Sequence, residues 1–206
     1  MKKTSLRLAL CAVVCIFVGI IFAGCGGEKK AAAPAAGKAA PATATSGLKK
    51  AEFEQPALIV SIGQSADAQM VKALAERNGL KYKYEVAAKA NALGDAKTLI
   101  MVVGGSSKGM GAAGVNLAQE EEREKALLAA AKEKKVKVIA LHVGGAARRG
   151  ELTDRFIPLL KDADYFIVVG DGDKDKAFTK ATGGKLPIDF PKNISEVGKF
   201  LKAAFK

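Results

Sequence analysis

Four short apolar runs, each leading into glycine, constrain the fold of this chain more than any other feature. They occupy residues 57–62, 98–103, 136–143 and 165–169 and are rich in branched side chains. Runs that are apolar on both faces are typical of the central strands of a parallel sheet. Residues 80–86 instead alternate apolar and charged side chains, which predicts an edge strand, and residues 186–188 are a candidate sixth strand.

Helical patterns fill the intervals between these strands. The spacing of apolar residues predicts helices over 67–78, 117–134 and 194–205, with Asn116 and Gln119 at capping-box spacing. The acidic run 120–122 is interpreted as a solvated face, and Pro158 is expected to kink a helix over 152–160. Alternating strands and helices predict an α/β fold: a three-layer α/β/α sandwich with a doubly wound, mainly parallel sheet of five or six strands. We expect a flavodoxin-like or Rossmann-like order, 2-1-3-4-5.

The first 24 residues have the layout of an export signal. Lys2, Lys3 and Arg7 precede an unbroken apolar run over 8–22, and small residues follow it. Residues 22–25, Phe-Ala-Gly-Cys, resemble the lipobox of bacterial lipoproteins, in which the cysteine is lipidated. We therefore predict a lipoprotein signal peptide over 1–24 and lipidation at Cys25. An uncleaved transmembrane anchor is the alternative.

A linker and one domain account for the rest of the chain. Residues 26–47 are rich in Ala, Pro and Lys and offer nothing large to bury, so we expect a lipidated Cys25 with a linker over 25–52 and a single α/β domain over 53–206. The formal net charge is +12, but residues 51–206 contribute an excess of only five, which argues against a nucleic-acid partner. Cys11, Cys15 and Cys25 all precede the domain, so we expect no disulfide in it.

Glycine-bearing loops follow four predicted strands, at the edge where parallel sheets bind ligands. Backbone N–H groups and three basic side chains in these loops favour an anionic ligand such as a carboxylate or phosphate. The candidate ligand-binding residues are Gln64, Ser65, Gly104, Gly105, Ser106, Ser107, Lys108, His142, Gly144, Gly145, Arg148 and Arg149. The alternative is that tight turns need these glycines in any case and that the basic residues are merely exposed.

Three further motifs suggest other chemistry. Gly105-Ser-Ser107-Lys-Gly109 fits a nucleophile elbow, so a serine hydrolase with Ser107 as nucleophile and His142 as base is the alternative function. Residues 109–114 fit a dinucleotide fingerprint, but they begin six residues after the strand, and we expect no cofactor. Residues 171–175 contain three alternating aspartates, as a calcium loop does, but Lys176 occupies its required glycine position, so we expect no metal.

Residues 63–67, 102–114 and 142–150 together resemble a family of bacterial lipoproteins that carry an exported Rossmann-like domain of unknown function. The resemblance covers nearly all of residues 53–206 and implies an exported α/β domain, but it brings no catalytic residues. We expect a protein anchored to the extracytoplasmic face of a bacterial membrane. We further expect a non-catalytic domain that binds a small anionic ligand or a membrane transport partner. An edge strand with Tyr82 and Tyr84 could alternatively dock a partner.

Overall fold

The computed structural model describes residues 47–206, which contain a six-stranded, all-parallel sheet. Its strands are Ala57–Ile62 (β1), Tyr82–Tyr84 (β2), Thr98–Val103 (β3), Lys137–His142 (β4), Tyr165–Val168 (β5) and Ile188–Asp189 (β6). The order β2-β1-β3-β4-β5-β6 confirms the predicted topology and adds the sixth strand at the edge beside β5. The predicted α/β class is therefore confirmed.

Within residues 47–206, six α-helices accompany the sheet. They are Asp67–Arg77 (α1), Ser107–Ala112 (α2), Leu117–Glu133 (α3), Glu151–Asp154 (α4), Ala177–Ala181 (α5) and Ile194–Ala204 (α6). Shorter 3₁₀ turns cover Ala90–Leu93, Gly145–Arg148, Ile157–Asp162 and Gly170–Asp173. The capping box predicted at the start of α3 is present, since Asn116 and Gln119 each accept the other's backbone N–H at 2.9 Å.

Each face of the sheet buries its own hydrophobic cluster. One cluster holds Leu58, Val60 and Ile62 of β1 and packs under α3 and the turn at Ile157–Asp162. The other holds Ala57 and Ile59 of the same strand and packs under α1 and α6. Because successive side chains of a strand point to opposite faces, a doubly apolar strand serves both clusters. The chain changes face between β1 and β3, so the topological switch point lies between these two strands.

The prediction of a kinked helix at Pro158 is wrong. Helix α4 ends at Asp154, and a separate 3₁₀ turn begins at Ile157 with Pro158 in its first positions. Proline has no N–H for a helix interior but is tolerated in a first turn, where the N–H has no partner. The proline therefore divides the segment into two short helices.

The predicted export signal, Cys25 and most of the linker lie outside the described residues. Within residues 47–206, every helix is too short or too polar to cross a bilayer.

Candidate functional site

The carboxyl ends of β1 and β3 meet in a crevice at the switch point. The Gly104 N–H donates to the Ile62 carbonyl at 2.9 Å, and the Ser106 N–H donates to the Gly63 carbonyl at 2.8 Å. An isolated bridge also joins Gln64 to Gly105. These bonds bring the predicted loops after β1 and β3 together, as their position at one edge of the sheet requires.

A buried carboxylate lies in this crevice. Asp67, the first residue of α1, is fully buried, and neither of its oxygens accepts a hydrogen bond from residues 47–206. The closest cationic group is the Arg148 guanidinium, whose Nε lies 3.5 Å from Oδ1. Buried carboxylates are normally hydrogen-bonded, because burial of an unpaired charge costs free energy. Asp67 therefore retains most of its capacity to accept hydrogen bonds.

Two strand-end glycines make room for this carboxylate. A Cβ atom at Gly104 would lie 2.8 Å from Oδ2 of Asp67, and one at Gly144 would lie 3.0 Å from the same oxygen. Any other residue at Gly104 would therefore press on the carboxylate. The loops after β3 and β4 thus form a cradle for Asp67 that depends on the absence of side chains.

Arg148 covers the cradle from outside. Its Cγ would lie only 2.0 Å from a Cβ atom at Gly144, so its stem packs on that glycine, and 48% of the side chain is exposed. Beside it is an open depression of about 260 Å³, lined by Arg148, Ser107, Thr153 and neighbouring loop residues. This volume is below the usual range for drug-sized ligands and fits a small one.

Arg149, by contrast, is engaged within the protein. Its guanidinium donates to Asp154 at 2.6 Å, to both carboxylate oxygens of Asp175 at 2.8 and 2.9 Å, and to the Gly172 carbonyl. The hydrogen bonds from Arg149 lower the pKa of Asp175 to about 2. Arg149 therefore ties the loop after β4 to the loop after β5 and has little capacity left for a ligand.

Gln64 turns away from the crevice toward a buried ion pair. Its Nε2 donates to both carboxylate oxygens of Glu120 at 3.1 and 3.2 Å, and its φ of 57° lies in the left-handed region. Glu120 also accepts from the Gly63 N–H at 2.8 Å and pairs with Arg123 at 2.5 Å. Burial alone would raise the pKa of Glu120, but donation and charge from Arg123, with the other donors, hold it below its ordinary value.

The loop after β3 contributes one capping residue and two exposed ones. The Ser106 hydroxyl accepts the Gly109 N–H at 3.0 Å and so caps α2. Ser107 and Lys108 are exposed at the start of that helix. The Ser65 hydroxyl accepts the Asp67 N–H at 3.3 Å. Ser107 and Lys108 are thus the predicted residues of these loops whose side chains remain accessible to a ligand.

His142 is buried and engaged at both ring nitrogens. Nδ1 lies 2.9 Å from the Val103 carbonyl and Nε2 lies 3.0 Å from the Gly145 carbonyl, while the ring stacks on Phe178. A general base needs a nitrogen within reach of its nucleophile. Among the hydrogen bonds of residues 47–206, none joins His142 to the exposed Ser107, so this geometry does not support the hydrolase alternative.

The aspartates after β5 have structural partners. Asp173 is buried and accepts N–H groups of Phe178 and Thr179, which caps the start of α5. Asp175 pairs with Arg149, and Asp171 lies against Gly145. Within residues 47–206, no group of three or more His, Cys, Asp or Glu side chains could hold a metal ion.

Sequence reasoning missed Asp67 as a site residue and was wrong about Glu120. The sequence pattern marks Asp67 only as the start of a helix, where an aspartate is ordinarily exposed. Glu120 and Glu124 are fully buried, whereas Glu122 is exposed, so the acidic run is not uniformly solvated. The signal was available, because positions 120, 124, 127 and 131 form one helical stripe that continues into Leu127 and Ala131.

Comparison with known proteins places the chain in a family without an assigned activity. Searches of curated proteins and of solved structures gave no match. Residues 54–205, which span β1 to the end of α6, match the family described as a domain of unknown function, DUF6305. Because the match covers most of the chain, this protein belongs to the DUF6305 family.

Proposed function

We propose that this chain is a lipid-anchored extracytoplasmic protein whose α/β domain binds a small anionic ligand without transforming it. The supporting observation is the fully buried Asp67 carboxylate, which accepts no hydrogen bond from residues 47–206 and lies beneath a half-exposed Arg148. The crevice at the switch point is where doubly wound sheets bind their ligands. A ligand bound in the crevice could donate a hydrogen bond to the Asp67 carboxylate, which has no donor within residues 47–206.

The charges of Asp67 and Arg148 determine which functional groups such a ligand needs. Arg148 comes closest to Asp67 through Nε, at 3.5 Å, which leaves its terminal N–H groups to an anionic group. Lys108, at the start of α2, is a second exposed cation. Asp67 itself accepts a hydroxyl or ammonium donor. The preferred ligand therefore combines an anionic group with a hydrogen-bond donor, as hydroxy acids and amino acids do.

The anchor is proposed from residues 1–25. A positively charged start, an apolar run over 8–22 and Gly24-Cys25 form the pattern of a lipoprotein signal. The polar linker that follows would separate the lipidated Cys25 from the domain. Lipidation at this cysteine would hold the domain outside the cytoplasmic membrane.

Thermal unfolding with four small probes tests the binding proposal. We expect glycolate and glycine to raise Tm more than acetate or inorganic sulfate at pH 7, since only the first two pair an anionic group with a hydrogen-bond donor for Asp67. A ligand at 100 times its Kd adds about 2.7 kcal/mol, which corresponds to roughly 5–10 °C for a domain of this size.

Arg148→Gln should abolish the shift, and Asp67→Ala, which leaves no side-chain acceptor, should remove the preference for glycolate and glycine over acetate. Arg77→Gln is the matched control, because Arg77 is an exposed arginine in the last turn of α1. A Tm that none of the four probes raises, or an equal shift in Arg148→Gln, would contradict ligand binding at this crevice.

A further inference from the structure

A second charged feature lies at the amino ends of the strands, on the opposite side of the sheet from the crevice at their carboxyl ends. An open cavity of about 440 Å³ is lined there by five lysines, Lys50, Lys97, Lys135, Lys137 and Lys206, together with Glu52 and Glu54. Lys97 immediately precedes β3, and Lys135 and Lys137 flank the start of β4. We call this group of five the lysine edge.

The lysine edge carries more charge than its glutamates neutralise. Lys137 pairs with Glu52 at 3.0 Å and Lys206 pairs with Glu54 at 2.9 Å. Among the residues that the structure describes, no ion pair engages the other three lysines. The pKa of Glu52 is lowered by donation from Lys137 and by the nearby charges of Lys50 and Lys206, so several cations act on one carboxylate.

The form of this surface favours an extended anionic partner over a small ligand. Both ion pairs are open to solvent, with side chains 37–58% exposed. Neither buried carboxylate without a hydrogen bond, Asp67 or Glu124, lines this cavity. Exposed lysines on flexible stems adapt to a surface of many charges but do not define a single small site.

The position of the linker indicates which anionic surface the lysine edge meets. Lys50 lines the cavity, so the end of the linker lies at this edge. About 20 linker residues separate Cys25 from Gly47, and a flexible chain of that length spans roughly 25 Å. A membrane anchor at Cys25 would therefore keep the lysine edge close to the lipid surface and raise its effective concentration there.

We propose that the lysine edge docks the domain on an anionic phospholipid surface and so turns the ligand crevice away from the membrane. This inference rests on the lipid anchor of the proposed function. Lysines close to an anionic surface are attracted individually, and the attraction is lost at high ionic strength.

The test uses the full chain, purified from membranes and mixed with vesicles of phosphatidylcholine alone or with 30% phosphatidylglycerol. Flotation reports attachment, and mass spectrometry of amine acetylation reports which lysines are covered. With phosphatidylglycerol we expect acetylation of Lys50, Lys97 and Lys135 to slow by roughly tenfold, and 0.5 M NaCl to abolish the effect. Lys174 and Lys192, in the loops after β5 and β6 at the crevice edge, are internal controls that should not change.

The double variant Lys50→Glu/Lys97→Glu should lose the protection at Lys135, whereas the matched Lys174→Glu/Lys192→Glu should keep it. Equal acetylation on both vesicle types would overturn docking while leaving the anchor intact.

Flotation separates docking from the anchor. Flotation with phosphatidylglycerol vesicles only, lost in the first variant, would support docking and contradict the anchor. Flotation with neither would contradict both. Protection in native membranes but not on phosphatidylglycerol would indicate a protein partner and overturn the lipid proposal.

Discussion

The most informative residue of this domain is a buried aspartate whose carboxylate accepts no hydrogen bond from residues 47–206. Asp67 is fully buried, and the contact it makes is a 3.5 Å approach of Arg148. A structural carboxylate in such a position would normally accept backbone or side-chain donors. Residues retained for binding often lower the stability of the ligand-free protein. A buried carboxylate without hydrogen bonds is one example, and a bound ligand that donates to it offsets that cost.

Replacement of Asp67 separates a binding role from a structural one. We expect Asp67→Asn to raise the free energy of unfolding of the ligand-free protein by about 1–3 kcal/mol, because it removes a buried charge that lacks hydrogen bonds. Urea unfolding at pH 7 measures this change. A loss of stability instead would show that the carboxylate supports the fold, which would count against a ligand-binding role.

Glu124 is a second buried carboxylate, and its environment predicts a pH effect. Burial and the neighbouring charge of Glu120 raise its pKa to about 9, so the folded protein holds a proton that the unfolded chain releases above pH 4.5. Between these values the folded state binds more protons, and stability therefore falls as the pH rises.

Glu124→Gln should remove this dependence. Relative to the parent chain, the variant should gain roughly 3–4 kcal/mol more at pH 8 than at pH 5, as urea unfolding at the two pH values would measure. Glu122→Gln is the control, because Glu122 is exposed on the same helix. Identical pH profiles for the parent and Glu124→Gln would mean that Glu124 is not buried as a neutral acid.

At the scale of elements, α2 shows how backbone contact shapes the crevice. This six-residue helix contains two glycines with opposite surroundings. A Cβ atom at Gly109 would lie 1.9 Å from the Gln64 carbonyl oxygen, whereas one at Gly111 would have no described atom within 4 Å apart from its chain neighbours and the backbone of α2 itself. Gly109 therefore permits the close approach of α2 to the loop after β1, and Gly111 has no such role.

Alanine at these two positions should have opposite effects. Gly109→Ala should destabilise the protein by a few kcal/mol, because backbone atoms must separate to accept the methyl group. Gly111→Ala should be neutral or stabilising by up to about 1 kcal/mol, since alanine is the better helix former. Thermal or urea unfolding compares the pair directly. Similar effects of both substitutions would contradict the close approach at Gly109.

Helix α3 joins the stability of the fold to the geometry of the crevice. Glu120 and Arg123 on its inner stripe hold the Gly63 N–H, the Gln64 amide and the Ser61 carbonyl at the end of β1. A buried ion pair is by itself weak evidence of net stability, but the hydrogen bonds of this one fix the backbone at the end of β1. The loop that leads to Asp67 is thus positioned by a helix on the opposite face of the sheet.

At the scale of the whole molecule, the two charged features lie at opposite edges of one parallel sheet. The crevice is formed at the carboxyl ends of β1, β3 and β4, and the lysine edge at the amino ends of β3 and β4. The strands between them are buried on both faces and form a rigid spacer. A membrane contact at one edge would therefore set the orientation of the other.

Fold class, strand order and most element positions followed from the sequence, because burial on both faces requires runs apolar throughout and helices require a 3.6-residue period. Those patterns are local in the sequence. The hydrogen-bond and ion-pair partners of individual polar side chains come from distant parts of the chain, so local patterns do not predict them. Arg148 and Arg149 are adjacent and chemically identical, yet Arg149 is held by Asp154 and Asp175, whereas Arg148 stands half-exposed over Asp67. That assignment depends on which loops the sheet brings together, so only the tertiary structure decided it.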